Sequence, residues 1–263
     1  MVRRLRDEEP PSRLALWSRR LALFALAVAL LALIIVRGGF VEAVPGFVAL
    51  LGALALAGLA ILCALGAFVV IWINGNPGFG HALSGAAIGT LLLIYPVYIG
   101  AQGYALPRVS DITTDIVDPP RFEAIARVRP RDANPVAYPG AEAARMQRLA
   151  YPDIAPLQLT ASPDEVYRTV LEVVTKRKWR VIDARTPQVG RRDGRIEAVA
   201  RTTVMGFRDD VVIRVRAGSG AVVVDIRSAS RYGQTDFGSN AQRVRALAEE
   251  IEEEVGSQAP ATR

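Results

Sequence analysis

The chain has 263 residues, of which 51% are hydrophobic, and a formal net charge of +6. This length accommodates one domain, or a membrane anchor followed by one domain. The excess of positive charge is small and is spread along the chain, without a cluster of Lys and Arg residues. This distribution excludes a typical nucleic-acid-binding surface. Because the only cysteine (Cys63) and the only histidine (His81) lie in the apolar half, the C-terminal part has no Ser-His-Asp triad and no typical zinc site. We therefore expect neither a metal nor a cofactor.

Three apolar stretches, with only two charged residues between them, occupy residues 21–103. They run from about 21 to 36, from about 46 to 73 and from about 82 to 100. Such lengths match the ~20 residues that cross about 30 Å of hydrocarbon. No small-residue cleavage site precedes the second stretch, so the first is predicted to be a retained helix rather than a signal peptide. The sequence predicts a basic N-terminus over residues 1–20 and three transmembrane helices after it.

Six arginines precede the first stretch, whereas the short loops hold almost none. By the positive-inside rule the N-terminus then lies in the cytoplasm, and three crossings place everything after Tyr104 on the other side. In a bacterium this is an inner-membrane protein with a periplasmic C-terminal domain. Gly85 and Gly89 form a small-xxx-small pair, which is interpreted as packing within the three helices, with oligomerisation as the alternative. His81, in a glycine-rich stretch, is expected in a loop.

Residues 104–156 are predicted to form an extended segment, because their eight prolines are too many for regular elements of any length. Within it, DITTDIVDPPRF (residues 111–122) holds a run of short oxygen acceptors before a rigid Pro119–Pro120 turn. A calcium loop is one interpretation, but the spacing lacks the glycine and terminal glutamate of an EF-hand. Asx- and ST-turns that cap an extended segment are favoured.

Residues 157–256 are predicted to form an α+β domain, and residues 257–263 a disordered tail. A short strand begins at Leu157, and Ser162-Pro163-Asp164-Glu165 has the serine cap, proline and glutamate typical of a helix start. Alternating apolar and polar residues predict four strands, at about 179–184, 195–202, 211–216 and 221–228, before a final helix over about 239–255. The order β-α-β-β-β-β-α predicts an antiparallel sheet with two helices on its apolar face, after an all-α three-helix transmembrane region.

The other face of this sheet is predicted to be polar. Strand parity places on it Arg195, Glu197, Arg201, Arg214, Arg216, Asp225 and Arg227. One interpretation is an anion-binding platform, for example for lipid headgroups, because the domain is tethered close to a bilayer. The favoured one is a solvated face with cross-strand ion pairs, each worth only about 0.2–1 kcal/mol.

The stretch DIRSASRYGQTDFGSNAQR (residues 225–243) contains the densest group of side chains able to bind a ligand, where a strand turns into a helix. With GFRDDVVIRV (residues 206–215) and the upstream DITTDIVDPPRF, it resembles the domain-of-unknown-function family 1499 over about residues 105–255. That family occurs in proteobacterial envelope proteins and in plastids, and the resemblance implies no established activity. Its pattern RSxSRxGxxDxGxNxxR falls on Arg227, Ser228, Ser230, Arg231, Gly233, Asp236, Gly238, Asn240 and Arg243, and the neighbouring run adds Asp209 and Asp210.

The leading functional hypothesis is a non-enzymatic envelope module that binds an anionic lipid headgroup or another envelope protein. Its candidate binding residues are Arg227, Ser228, Ser230, Arg231, Asp236, Asn240, Arg243, Asp209 and Asp210, and no catalytic residue is assigned. The alternative is an envelope hydrolase or transferase with Asp/Arg chemistry at the 227–243 turn, for which the carboxylates are Asp209, Asp210, Asp225 and Asp236. A third hypothesis is structural: Arg231 and Asp236 pair across the turn, and Asp236 or Ser239 caps the last helix.

Overall fold

The computed structural model describes residues 10–41, 43–104, 106–188 and 193–258. It divides the chain into two compact units, Met1–Gln102 and Gly103–Arg263. The first unit consists of α1 (Arg13–Gly38), α2 (Ala43–Asn74) and α3 (Phe79–Tyr104). All three helices are long and apolar enough to cross a membrane, so the three predicted spans are confirmed as candidate membrane helices. Three of the six N-terminal arginines (residues 3, 4 and 6) lie outside the described residues.

Small side chains let α1 and α2 approach closely. Ser18 of α1 is buried and donates a hydrogen bond to the Ala60 carbonyl of α2 at 2.9 Å. Alanines dominate the buried positions of both helices: Ala15, Ala22, Ala25, Ala29 and Ala32 on α1, and Ala53, Ala57, Ala60, Ala64 and Ala67 on α2. Close backbone approach of this kind drives helix association where no hydrophobic effect operates.

Gly85 and Gly89 pack inside the three-helix unit. A Cβ at Gly85 would lie 2.0 Å from Ser18 Oγ, and one at Gly89 would lie 2.9 Å from the Ala57 carbonyl oxygen. Contacts of α3 with α1 and α2 therefore need these glycines. His81 lies inside α3, where its ring is 3.1 Å from Arg19, so the prediction that it is a loop residue is wrong.

The second unit contains a six-stranded antiparallel sheet and the remaining helices. Its elements are β1 (Asp111–Thr113), α4 (Ile125–Val128), α5 (Ala141–Ala150), β2 (Leu157–Leu159), α6 (Pro163–Lys176), β3 (Arg180–Arg185), β4 (Gly194–Arg201), β5 (Arg208–Ala217), β6 (Val222–Ser230) and α7 (Ser239–Gln258). The strand order is β1-β6-β5-β4-β3, and β2 pairs with the same edge of β6 as β1 does. The predicted α+β fold after a helical region is confirmed.

Helices α6 and α7 cover one face of the sheet, the helix face. Ser162 caps α6 as predicted, since its Oγ accepts the Glu165 N–H. The core beneath the helices is mostly aliphatic and includes Val166, Val170, Val174, Ile196, Ile213, Val224, Ile226, Leu247 and Ile251. Burial of this surface is the main stabilising term for the unit.

The proline-rich segment is more regular than the sequence predicts. β1 pairs with β6, with Asp111 opposite Ala229. α5 has 10 residues and lies in the proline-free interval between Pro139 and Pro152, which leaves room for almost three turns. The prediction that this segment lacks regular elements of any length is therefore wrong for α5.

The second face of the sheet, the charged face, is covered by residues 115–138, the covering segment. Phe122 and Ile125 of this segment pack against Val199, Val212 and Ala229 of the sheet. The predicted solvated face is wrong for four of its seven residues, since Arg214 is 7% exposed, Arg227 2%, and Glu197 and Asp225 0%. Strand alternation correctly separates the two faces, but the proline-rich segment folds back over the polar one.

Candidate functional site

Arg227, on the charged face, contacts several separate parts of the chain. Its guanidinium donates two hydrogen bonds to the Asp111 carboxylate, from Nε at 2.9 Å and from Nη2 at 2.7 Å. It also donates to the backbone carbonyls of Pro120 and Val136, each at 3.0 Å. The Phe122 ring lies against it, 4.7 Å from centroid to guanidinium carbon. One side chain of β6 thus binds β1 and three points of the covering segment.

Glu197 in the middle of β4 is fully buried and binds the covering segment through its backbone. Its carboxylate accepts the N–H groups of Glu123 at 2.9 Å, Ala124 at 3.2 Å and Ile125 at 2.8 Å. Glu123 and Ala124 directly precede α4, which begins at Ile125 and whose N-cap residue makes no side-chain hydrogen bond. A carboxylate at a helix start satisfies donors that have no partner within the helix.

Arg214 of β5 links Asp225 of β6 to the DITTDIVDPPRF turn. It donates to Asp225 Oδ2 at 2.9 Å and to Asp118 Oδ2 at 2.7 Å. The hydrogen bond from Arg214 lowers the pKa of Asp118. Asp115 Oδ1 accepts the N–H groups of Val117 and Asp118 at 3.0 and 2.9 Å, which is the Asx-turn that the sequence favours over a calcium loop.

Asp210 lies between two arginines from different parts of the chain. Arg231, just after β6, donates to Asp210 Oδ1 at 2.8 Å, and Arg129 Nε forms an ion pair with Asp210 Oδ2 at 3.0 Å. Arg129 and Asn134 of the covering segment both donate to the Ser230 carbonyl, at 3.2 and 3.0 Å. Arg231 therefore pairs with Asp210 and not, as the structural hypothesis supposes, with Asp236.

A second polar cluster lies on the helix face, where β5 and β6 meet the start of α7. Ser228 Oγ donates to Asn240 Oδ1 at 2.8 Å, and the Asn240 amide donates to Ser230 Oγ at 2.9 Å. Arg243 donates to Ser228 Oγ at 2.8 Å and to Asp209 Oδ2 at 2.5 Å. The cluster closes on itself, since each member donates to or accepts from another member.

Burial raises the pKa of three aspartates that are paired with arginines in the two clusters. It raises the pKa of Asp111, of Asp209 and of Asp210, and in each case a guanidinium opposes the rise: Arg227, Arg243 and Arg231, respectively. Burial also raises the pKa of Asp236, whose carboxylate accepts the N–H groups of Gly238 at 2.9 Å and Asn240 at 2.7 Å. Asp236 thus satisfies donors at the start of α7, as the sequence suggests.

The signature glycines have a backbone role. Gly233 and Gly238 have φ values of 84° and 79°, in the left-handed region that glycine adopts without steric cost. Phe237 between them has φ 52°, which is uncommon for a bulky residue. The turn from β6 into α7 needs this sequence of conformations to bring Asp236 over the helix start.

The structure therefore brings the nine candidate residues into two adjacent clusters, on opposite faces of β5 and β6. Arg227, Arg231 and Asp210 lie on the charged face, and Ser228, Ser230, Asn240, Arg243 and Asp209 lie on the helix face, with Asp236 at the start of α7. Among the described residues, no group of three or more His, Cys, Asp or Glu side chains is placed to hold a metal ion.

Sequence reasoning did not single out three residues that complete the clusters. Glu197 appears in the sequence as one of several charges on a polar strand face, and Arg129 and Asn134 as parts of a loop. Their partners lie between 72 and 101 residues away in the chain. The one available signal is the alternation that aims Glu197 at the face where the covering segment later packs.

The Tyr138 hydroxyl tests whether the buried polar atoms beneath the covering segment all have hydrogen-bond partners. Its ring lies against Arg227, but its oxygen is buried and has no hydrogen-bond partner among the described residues. Burial raises the pKa of Tyr138 to about 12. Replacing Tyr138 by Phe removes an unpaired polar atom and keeps the ring, so we expect a change in unfolding free energy within about 0.5 kcal/mol, or a small gain.

Thr114→Val is the matched control, because it also removes one buried hydroxyl. Thr114 Oγ1 accepts the Ile226 N–H at 2.9 Å, and its loss leaves that donor unpaired at a cost of about 1–3 kcal/mol. Urea unfolding of both variants measures the difference. Equal losses for the two variants would contradict the assignment of an unpaired Tyr138 hydroxyl.

Comparison with known proteins assigns this domain to a family. The profile of the family "Protein of unknown function (DUF1499)" matches residues 111–251, which begins at β1 and ends within α7. No curated protein matches the chain significantly. The matched range includes the covering segment, the sheet and all the clustered aspartates and arginines. Because the match spans more than half of the 263 residues, the chain belongs to the DUF1499 family.

Proposed function

We propose that this protein is a non-enzymatic envelope module, anchored in the bacterial inner membrane, whose periplasmic domain binds a ligand or partner at its surface. The observation that carries this proposal is the mutual pairing of the signature side chains. Asp209, Asp210 and Arg231 are at most 4% exposed, and Arg231 pairs with Asp210 while Arg243 pairs with Asp209. In this proposal the signature residues shape the domain: the Arg243 side chain is only 10% exposed and Asp236 accepts N–H groups at the start of α7. A ligand then contacts the exposed residues beside them.

The alternative, a hydrolase or transferase, requires a carboxylate that can reach substrate. Asp209, Asp210 and Asp225 are at most 2% exposed, and the first two are ion-paired to Arg243 and to Arg231. A general acid or nucleophile must lie within hydrogen-bond reach of the reacting atom. To act in catalysis, either aspartate would have to leave its guanidinium and emerge from the interior.

An activity assay distinguishes the two functions. We expect the purified full-length protein to turn over neither phosphate esters nor glycosides. The deciding variant is Asp210→Asn, which is nearly isosteric with the wild type. Turnover that disappears in Asp210→Asn while the circular dichroism spectrum stays unchanged would overturn the non-enzymatic proposal.

The proposed topology rests on the arginines that precede the first apolar stretch and on the three candidate spans. We expect an alkaline phosphatase fused after residue 263 to be active, because that enzyme matures only in an oxidising compartment. A fluorescent protein inserted at Gly75, between α2 and α3, should in turn be fluorescent in the cytoplasm. The reverse pattern would show that the C-terminal domain is cytoplasmic.

A further inference from the structure

One end of the sheet, the hairpin end, gathers exposed arginines and apolar side chains. It contains the β4–β5 hairpin, since Arg201 pairs with Arg208 in the register, and also the end of β6, where Asp209 pairs with Ser230. β1 starts here too, because the Ser230 N–H donates to the Ser110 carbonyl at 2.8 Å. The hairpin end is therefore also the end at which the chain enters the sheet.

Two exposed apolar side chains lie at this end. Val204, in the β4–β5 hairpin, is 38% exposed, and Phe237, in the turn before α7, is 51% exposed. Phe237 holds its exposed ring at φ 52°, a conformation that costs energy for a bulky side chain. Residues held in such sparsely populated backbone conformations cluster at ligand-binding and other functional sites.

Three exposed arginines lie in segments that reach the same end of the sheet. Arg208 begins β5 next to the hairpin. Arg131 lies in the loop whose Asn134 N–H donates to the Arg231 carbonyl at 2.7 Å, and Arg108 precedes Ser110 by two residues. Exposed arginine beside apolar and aromatic side chains is the composition of surfaces that bind anionic lipid headgroups, because guanidinium groups pair with phosphate while the rings enter the interfacial layer.

We propose that the hairpin end, defined by Arg108, Arg131, Val204, Arg208 and Phe237, binds the anionic phosphodiester headgroups of a phospholipid bilayer. The inference rests on the proposed function and gives it a ligand class. Six residues connect this end to α3, a candidate membrane span, so a bilayer is the surface available to it. The candidate residues at the 227–243 turn would then hold the surface in shape, and the arginines outside the clusters would contact lipid.

Site-specific fluorescence in the full-length protein tests this proposal. In a Cys63→Ala background, Val204→Cys carries an environment-sensitive nitrobenzoxadiazole dye, and the matched control Ser219→Cys carries it at the exposed β5–β6 hairpin, at the opposite end of the sheet. Both are reconstituted in nanodiscs of phosphatidylcholine alone or of an equimolar mixture with phosphatidylglycerol. We expect blue-shifted emission, quenched by nitroxide lipids, only at position 204 and only in the anionic discs.

Neutralising the arginines separates lipid binding from contact with a protein. Each of Arg108→Gln, Arg131→Gln and Arg208→Gln should lower the equilibrium constant for the bound state about fivefold, and Arg168→Gln on α6 should leave it unchanged. Added salt should also reduce the blue shift of the wild-type arginine background at position 204, because it screens the attraction between arginine and phosphate. Each variant removes one exposed charge, so if one of them fails to fold the other two still test the proposal.

The following results would overturn the proposal. Equal emission at positions 204 and 219 in anionic discs would show that the hairpin end does not bind lipid. A blue shift that depends neither on phosphatidylglycerol nor on the three arginines would assign the contact to a protein surface. The alkaline phosphatase and fluorescent-protein fusions do not depend on lipid binding. They therefore show separately whether the proposed periplasmic location is wrong.

Discussion

Replacing Arg227 by Met is expected to destabilise the C-terminal unit by about 3–5 kcal/mol at neutral pH, because it leaves a buried carboxylate without its partner. Asp111 is 5% exposed and receives two hydrogen bonds from Arg227. The carbonyls of Pro120 and Val136 lose their donor as well. Urea unfolding of the full-length protein, followed by Trp179 fluorescence in a Trp17→Phe, Trp72→Phe background, measures the loss.

Arg245→Met is the control, since it removes an arginine that makes the same type of two-bond pair with an aspartate, but at the surface. Arg245 makes two hydrogen bonds with Asp153, at 2.5 and 2.8 Å, and lies over the Tyr151 ring. Its pair is exposed to solvent, so we expect a loss of at most about 1 kcal/mol. A loss in Arg227→Met no larger than that in Arg245→Met would mean that the covering segment is held by its apolar contacts alone.

The effect of Arg227→Met should depend on pH. Burial raises the pKa of Asp111, and without Arg227 the principal opposing charge is gone. A carboxyl whose folded pKa exceeds its unfolded value contributes stability below the unfolded value and loses it as the pH rises through the folded value. The deficit relative to wild type should therefore shrink as the pH falls from neutral toward the ordinary value of 3.8. A deficit that is constant over this window would contradict the role of Asp111.

Replacing Glu197 by Gln is the second change with a large expected effect. Glu197 accepts three backbone N–H groups with two oxygens. An amide has one oxygen, and its NH2 group would face N–H donors, so at least one buried donor loses its acceptor and the charge-assisted bonds weaken. We expect a loss of about 3 kcal/mol, from hydrogen bonds to charged groups that are worth roughly 1.5–3 kcal/mol each. The same urea titration measures it.

The loss in Glu197→Gln should be accompanied by opening of the covering segment. Hydrogen exchange at the amides of Glu123, Ala124 and Ile125 should accelerate more than exchange in β5, because only the former donors lose their acceptor. Glu172→Gln, on the exposed side of α6, is the control and should leave the stability within about 0.5 kcal/mol of wild type. Unchanged protection of the amides at residues 123–125 would contradict the proposed cap.

Local patterns in the sequence determine much of this protein. Three apolar stretches of sufficient length determine the candidate membrane helices, and the serine and proline at residues 162 and 163 determine the start of α6. Alternation determines β4, β5 and β6 to within three residues at either end and separates their faces. These features depend on residues that are neighbours in the chain, so a short window of sequence contains the information.

Only the tertiary structure decided what the polar residues do. Parity places Arg227 and Glu197 on the face opposite the helices but does not indicate what lies over that face. Their partners, Asp111 and the turn at residues 123–125, are 116 and 72–74 residues distant in sequence. Packing of Phe122 and Ile125 against the sheet brings them together. Because such contacts join residues far apart in the chain, the sequence pattern predicts a charged face, and the fold turns it into a buried network of ion pairs.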